Sequence, residues 1–143
     1  MTLSIFPDIN VWLALSSPDH QHCKVAWSWY RQLSPDAALV FCRLTQMGLL
    51  RLLTTQAVMG AGTLTQAEAW EAYDRWSLEA EAEFAEEPTG LDAYFRARSG
   101  TSKASPKEWA DAYLAAFAEA AGLQLATFDR ALAAKAGGAI LLA

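Results

Sequence analysis

Short apolar runs closed by turn residues alternate along this chain with longer stretches whose apolar positions recur every three or four residues. Leu3 to Phe6 is the first run, ended by Pro7-Asp8, and it predicts a buried strand entering a loop. A helical stretch follows from Asn10 to Leu15 and is broken by Ser16-Ser17-Pro18-Asp19. From His20 to Leu33, the residues Cys23, Ala26, Trp27, Tyr30 and Leu33 fall on one helical face. Ser34-Pro35-Asp36 turns the chain into a second buried strand, Ala38 to Cys42. Thr45 to Leu53 is the next helix, with Met47, Leu50 and Leu53 on one side. Gly60-Ala61-Gly62 is a loop, and Thr65-Gln66-Ala67-Glu68 is a capping box opening a helix that reaches Leu78.

The second half continues the alternation. Glutamates at 79, 81, 83, 86 and 87 mark a solvated face, within which Ala82 to Ala85 reads as a short edge strand. Leu91 to Arg98 is helical, Ser99 to Pro106 is a polar loop, and Pro106 starts a helix through Ala121 that Gly122 ends. Leu123 to Thr127 is a strand, Asp129 to Lys135 a short helix, and Ala139 to Leu142 a last strand. Strands linked through helices imply a parallel sheet covered on both faces. With no internal repeat and no long linker, residues 1–143 read as one α/β domain, a three-layer α/β/α sandwich around a mainly parallel sheet.

Composition narrows the class. At 53% apolar and 19% charged residues the chain cannot be disordered, and its mean hydropathy of +0.09 fits a soluble globule. Two cysteines, Cys23 and Cys42, without a CxxC pair, make no disulfide framework and predict a reducing cytoplasm. The N-terminal stretch has no basic segment and carries Asp8 inside its apolar part, so no leader is expected. No apolar stretch approaches the roughly 18 residues of a spanning helix, so no membrane partner is expected either. The net charge of −5 argues against nucleic acid. Its distribution argues otherwise: between positions 93 and 107 stand Arg96, Arg98, Lys103 and Lys107 with no acid. With Arg43 and Arg51 contributing from the other side, these are the candidate contacts to an RNA backbone.

Ligands of open α/β sheets bind at the carboxyl ends of the strands. Asp8 directly follows the first strand, Asp129 lies two residues beyond Thr127, and Asp111 sits in the first turns of the helix from Pro106. An N-cap role accounts for Asp8 and Asp129 taken singly. Asp111, within the mostly apolar Trp109 to Ala116, requires exposure or a partner. Converging carboxylates repel, and a hard cation such as Mg2+ or Mn2+, liganded by carboxylate oxygens, waters and substrate phosphates, relieves that repulsion. Such an ion activates water for in-line displacement at phosphorus.

Asp8-Ile9-Asn10-Val11 after an N-terminal strand, Ala110-Asp111-Ala112 opening a helix, and Ala126-Thr127-Phe128-Asp129 after a late strand resemble the PIN domain, above all the VapC-type toxins of bacterial toxin–antitoxin pairs. The resemblance spans essentially the whole chain in order and spacing. It implies a metal-dependent endoribonuclease in which Asp8, Asp111 and Asp129 hold Mg2+ or Mn2+, with Asn10 and Thr127 orienting those carboxylates. It also implies a homodimer neutralised by a VapB-type antitoxin; apolar surface on the helices from Asn10 to Leu33 and Thr45 to Leu53 is the candidate groove. One departure stands out. Where the family has a glutamate after a threonine, this chain has Thr45-Gln46, a neutral amide that offers a carbonyl ligand or a hydrogen bond without charge. Glu108 is a candidate substitute, and a non-catalytic PIN-like module binding RNA or protein is the alternative reading.

Other chemistries lack their residues. There is no GxGxxG or Walker A motif, and Asp8-Ile9-Asn10 lacks the second aspartate of haloacid-dehalogenase-like phosphatases. His20 and His22 are expected to be exposed at a helix start. Trp27, Trp70 and Trp109 lie on helical apolar stripes and are expected in the core or an interface, and Trp12 beside Asp8 is a candidate for base stacking.

Overall fold

Period-two alternation along three of the five short strands sends side chains to two separate cores. In the computed structural model, which describes residues 3–143, the strands are β1 (Ser4–Pro7), β2 (Ala38–Phe41), β3 (Glu83–Phe84), β4 (Gln124–Thr127) and β5 (Ile140–Leu141). Met1 and Thr2, the first positions of the stretch read for a leader, lie outside the described residues. The strands lie in the order β3-β2-β1-β4-β5, and every pairing is parallel. Ile5, Leu39, Phe41 and Ala126 face one core, while Phe6, Val40 and Leu125 face the other. Helices α1 (Ile9–Ser16), α2 (Cys23–Arg31) and α3 (Arg43–Leu53) cover the first core, with short α4 (Gln56–Met59) leading to α5 (Gln66–Glu79). Helices α6 (Leu91–Ser99), α7 (Trp109–Ala121) and α8 (Arg130–Lys135) cover the second. This is the three-layer arrangement expected.

Helix α1 is buried all round from Val11 to Leu15, as a central helix must be. Trp12 is its anchor: fully buried, it stacks on Phe41 with centroids 3.7 Å apart and meets Trp76 edge-on at 5.3 Å. It is a core residue, not a base-stacking platform. Helix α3 crosses α1 so closely at Gly48 that a Cβ there would stand 2.4 Å from Ile9 Cδ1. The Thr65–Glu68 capping box forms as read.

Four local expectations change. Helix α2 starts at Cys23, leaving His20 and His22 in a turn where His22 N–H donates to His20 Nδ1 at 3.0 Å. Both rings are half-buried, His22 stacking on Phe128 at 4.6 Å, because the turn folds back over the end of β4. Met47 is 59% exposed, and the buried face of α3 carries Thr45, Gln46, Gly48, Leu49 and Leu53 instead. Trp70 and Trp109 are 46% and 57% exposed: periodicity marks a face but not whether anything covers it. The stretch around Gly60 is a 3-10 turn (Gly60–Gly62) following the unpredicted α4.

Candidate functional site

Strand β1 is central, and the chain leaves it toward β2 on one side and β4 on the other. That switch point opens a crevice at the strands' carboxyl ends. Asp8 stands there with its N–H bonded to Ala126 O of β4 at 2.9 Å. It is the N-cap of α1: its Oδ1 accepts from Val11 N–H at 3.0 Å. Its Oδ2 accepts from the Thr127 hydroxyl at 2.5 Å. Thr127, the fully buried last residue of β4, also accepts from Asp129 N–H at 2.9 Å. Asp129 caps α8, its Oδ1 accepting from Ala131 N–H at 2.8 Å and Leu132 N–H at 3.3 Å. Capping and site geometry are therefore the same hydrogen bonds, with Thr127 tying two aspartates from opposite ends of the chain.

Asp111, in the first turn of α7, is half-buried and receives no hydrogen bond among the described residues. Burial, then the charge of Asp129, raises its pKa; Lys135 opposes that shift and Glu108 adds to it. Burial also raises the pKa of Asp8, against the Thr127 and Val11 hydrogen bonds, and the charges of Asp129 and Asp111 push it further. The three carboxylates thus sense one another across the crevice. Among the described residues no three acidic, histidine or cysteine side chains close into a finished coordination cage. An all-oxygen set of spaced carboxylates, two already oriented by backbone N–H groups, fits a hard cation that keeps several waters.

Gln46 is buried, and its Oε1 accepts from the Arg43 guanidinium at 2.5 Å, while Arg43 lies over the Phe84 ring at 4.7 Å. The carbonyl read as a ligand is engaged by a neighbouring cation. Asn10 is exposed in α1, and among the described residues its side chain makes no hydrogen bond to either carboxylate. Glu108 is exposed and accepts from Lys135 Nζ at 2.9 Å, so it serves an ion pair beside Asp111. The candidate RNA contacts divide in two. Arg96 pairs with Asp92 at 2.7 Å on α6, and Arg98 is latched to Glu119 and to the Lys135 carbonyl. Lys103 and Lys107 are exposed and form no ion pair among the described residues. Leu15 of α1, Trp27 and Tyr30 of α2 and Trp76 of α5 line a groove on that face, and the exposed apolar side chains Met47, Val58 and Trp70 stand on α3, α4 and α5. The sequence reading missed Lys135, whose i+6 position from Asp129 gave no signal without the fold.

The PIN-domain family model matches residues 5–138. Ribonuclease VapC41 of Mycobacterium tuberculosis is 42% identical over 128 residues, spanning 87% of this chain and 88% of that protein. Among solved structures, M. tuberculosis VapC20, a sarcin-ricin loop cleaving toxin, superposes with a TM-score of 0.70 at 15% identity, covering 97% of this chain and 99% of that one. VapBC2 from Rickettsia felis, bound to a DNA fragment from its promoter, superposes with a TM-score of 0.65 at 11% identity, covering 97% of each chain. At those identities the structural likeness speaks for the fold.

Proposed function

This chain belongs to the PIN-domain family, and on that premise we propose that it is an endoribonuclease, the toxin of a VapBC-type pair, whose Asp8, Asp111 and Asp129 hold Mg2+ or Mn2+. The observation that carries the reading is the Asp8–Thr127–Asp129 hydrogen-bonded set at the switch point, with Asp111 facing it electrostatically. A bound ion would supply an activated water and offset charge at the scissile phosphate. The protein's part is to fix the carboxylates. Val11 N–H and the Thr127 hydroxyl hold both oxygens of Asp8, and two α8 N–H groups hold one oxygen of Asp129. Asp111, without such restraint, is free to adjust to the ion. RNA cleavage in Mn2+ by Asp8→Asn and Asp129→Asn variants at the wild-type rate would overturn the mechanism.

The likeness to VapC41 and VapBC2 supports a VapB-type antitoxin as partner. The exposed Met47, Val58 and Trp70 support a homodimer or antitoxin contact on α3–α5. The full chain is expected to run as a dimer in size-exclusion chromatography, and a monomer at micromolar concentration would remove the dimer from this reading. Among the described residues no helix is long and apolar enough to cross a membrane.

The Arg43–Gln46 pair favours a second reading, a PIN-like module with a weakened metal site. A carboxylate at position 46 would be drawn into a charge-assisted pair with Arg43. Gln46→Glu alone is therefore expected to raise Mn2+ affinity by less than about tenfold, and Gln46→Glu with Arg43→Ala by more. Calorimetric titration separates the readings: no Mn2+ binding by wild type or either variant assigns the chain to the module.

A further inference from the structure

We propose that the cavity between α6, α7 and α8 seats one nucleotide of the RNA strand beside the carboxylate cluster, its base against Trp109 and a phosphate at Lys103. The assignment rests on the ribonuclease reading and names the substrate contacts of that site. The cavity has a volume of about 740 Å3, within the roughly 300–1,000 Å3 of small-ligand clefts. Pro106, Trp109, Ala112 and Ala115 give it an apolar wall, and Lys103 and Lys135 give it cationic groups.

Three further observations select a nucleotide as occupant. Trp109 is 57% exposed at this cavity while Phe95 braces it edge-on at 6.1 Å, which leaves a large indole held rigid and uncovered. A rigid exposed aromatic accepts any base, since every base has a π-face. The stretch from 93 to 107 carries four cations and no acid. Two of those, Arg96 and Arg98, are already paired with Asp92 and Glu119, so Lys103 and Lys107 remain for phosphate. Finally, the cavity adjoins the acids. Glu108 and Lys135 line it and pair with each other, and Trp109 and Ala112, which stand on either side of Asp111 on α7, line it too.

The test is fluorescence anisotropy with labelled pentauridylate and pentaadenylate on the full chain carrying Asp8→Asn, so that bound strand is not consumed. Trp109→Ala is expected to weaken binding roughly five- to a hundredfold, the measured range for loss of one stacked base, and Trp109→Phe to recover most of it. Lys103→Ala is expected to weaken binding of both oligomers alike and to reduce the salt slope by about one. Lys24→Ala, on the exposed side of α2, is expected to change neither. Oligonucleotide affinity indifferent to Trp109 and Lys103 would overturn the assignment and leave the cavity to a protein partner. Binding does not require cutting. Trp109-dependent affinity in a chain whose wild type cleaves no RNA would sustain the pocket and overturn the nuclease reading alone.

Discussion

Asp8→Asn is expected to lower RNA cleavage by about a thousandfold or more while making the metal-free protein more stable at neutral pH. Both effects have one cause. Burial and the neighbouring charges of Asp129 and Asp111 raise the Asp8 pKa above its ordinary 3.8. Between those two values the folded chain binds more protons than the unfolded chain. The stability that protonated Asp8 contributes is therefore complete below 3.8 and is lost as pH rises through the raised value. Asparagine does not titrate; its Oδ1 can still accept from Val11 N–H and its amide can face the Thr127 hydroxyl. Thermal melts across pH should show the wild-type midpoint falling relative to the variant's through that window. At pH 7 the variant's midpoint should lie above that of the wild type. Mn2+ should raise the wild-type midpoint and raise the variant's by less, since Asp111 and Asp129 alone hold the cation more weakly. A variant less stable than wild type at every pH would mean that the acid is there for capping alone.

Trp12→Ala carries the largest expected loss of stability, about 3–5 kcal/mol, because a fully buried indole stacked on Phe41 leaves a cavity at the centre of the first core. The midpoint should fall by about 10 °C or more. Trp12→Phe should cost less: the ring contact with Phe41 persists, and the buried indole N–H, which has no hydrogen-bond partner among the described residues, is removed. Below its melting point Trp12→Ala should bind oligonucleotides as wild type does, because no part of that ring reaches solvent. Loss of RNA affinity in the folded variant would return Trp12 to the candidate interface.

The local parts of this architecture were legible in the sequence because their signals are local. A short apolar run followed by aspartate marks both β1–Asp8 and β4–Asp129, and the structure caps a helix with each. Thr65–Glu68 and Gly122 bound their helices as read. The hydrogen bond from Thr127 to Asp8 spans 119 positions and exists only because β4 pairs beside β1. The resemblance pointed to Thr127; no periodicity could. Helical spacing placed Trp109 in the core or an interface; α7 is buried only from Ala112 onward, so its first turn stands clear of the packed layer. Gln46 could be named as the departure from the family pattern. That its carbonyl faces Arg43 depends on a side-chain pair one helical turn apart, which residue identities do not fix.

The charge pattern follows the same division. A net charge of −5 disfavours nucleic acid, but eight of the sixteen acids stand at the crevice or between 79 and 87, whereas Lys103 and Lys107 stand exposed on the approach to Asp111. Total charge bears on solubility and local charge on the partner. The most direct measurement of the central claim is the rate at which the wild-type chain cleaves RNA as Mn2+ is added and then withdrawn with excess chelator. Saturable cleavage in Mn2+ that disappears with the chelator is the result predicted. Cleavage that proceeds unchanged in chelator would contradict the assignment of Asp8, Asp111 and Asp129 as a metal site.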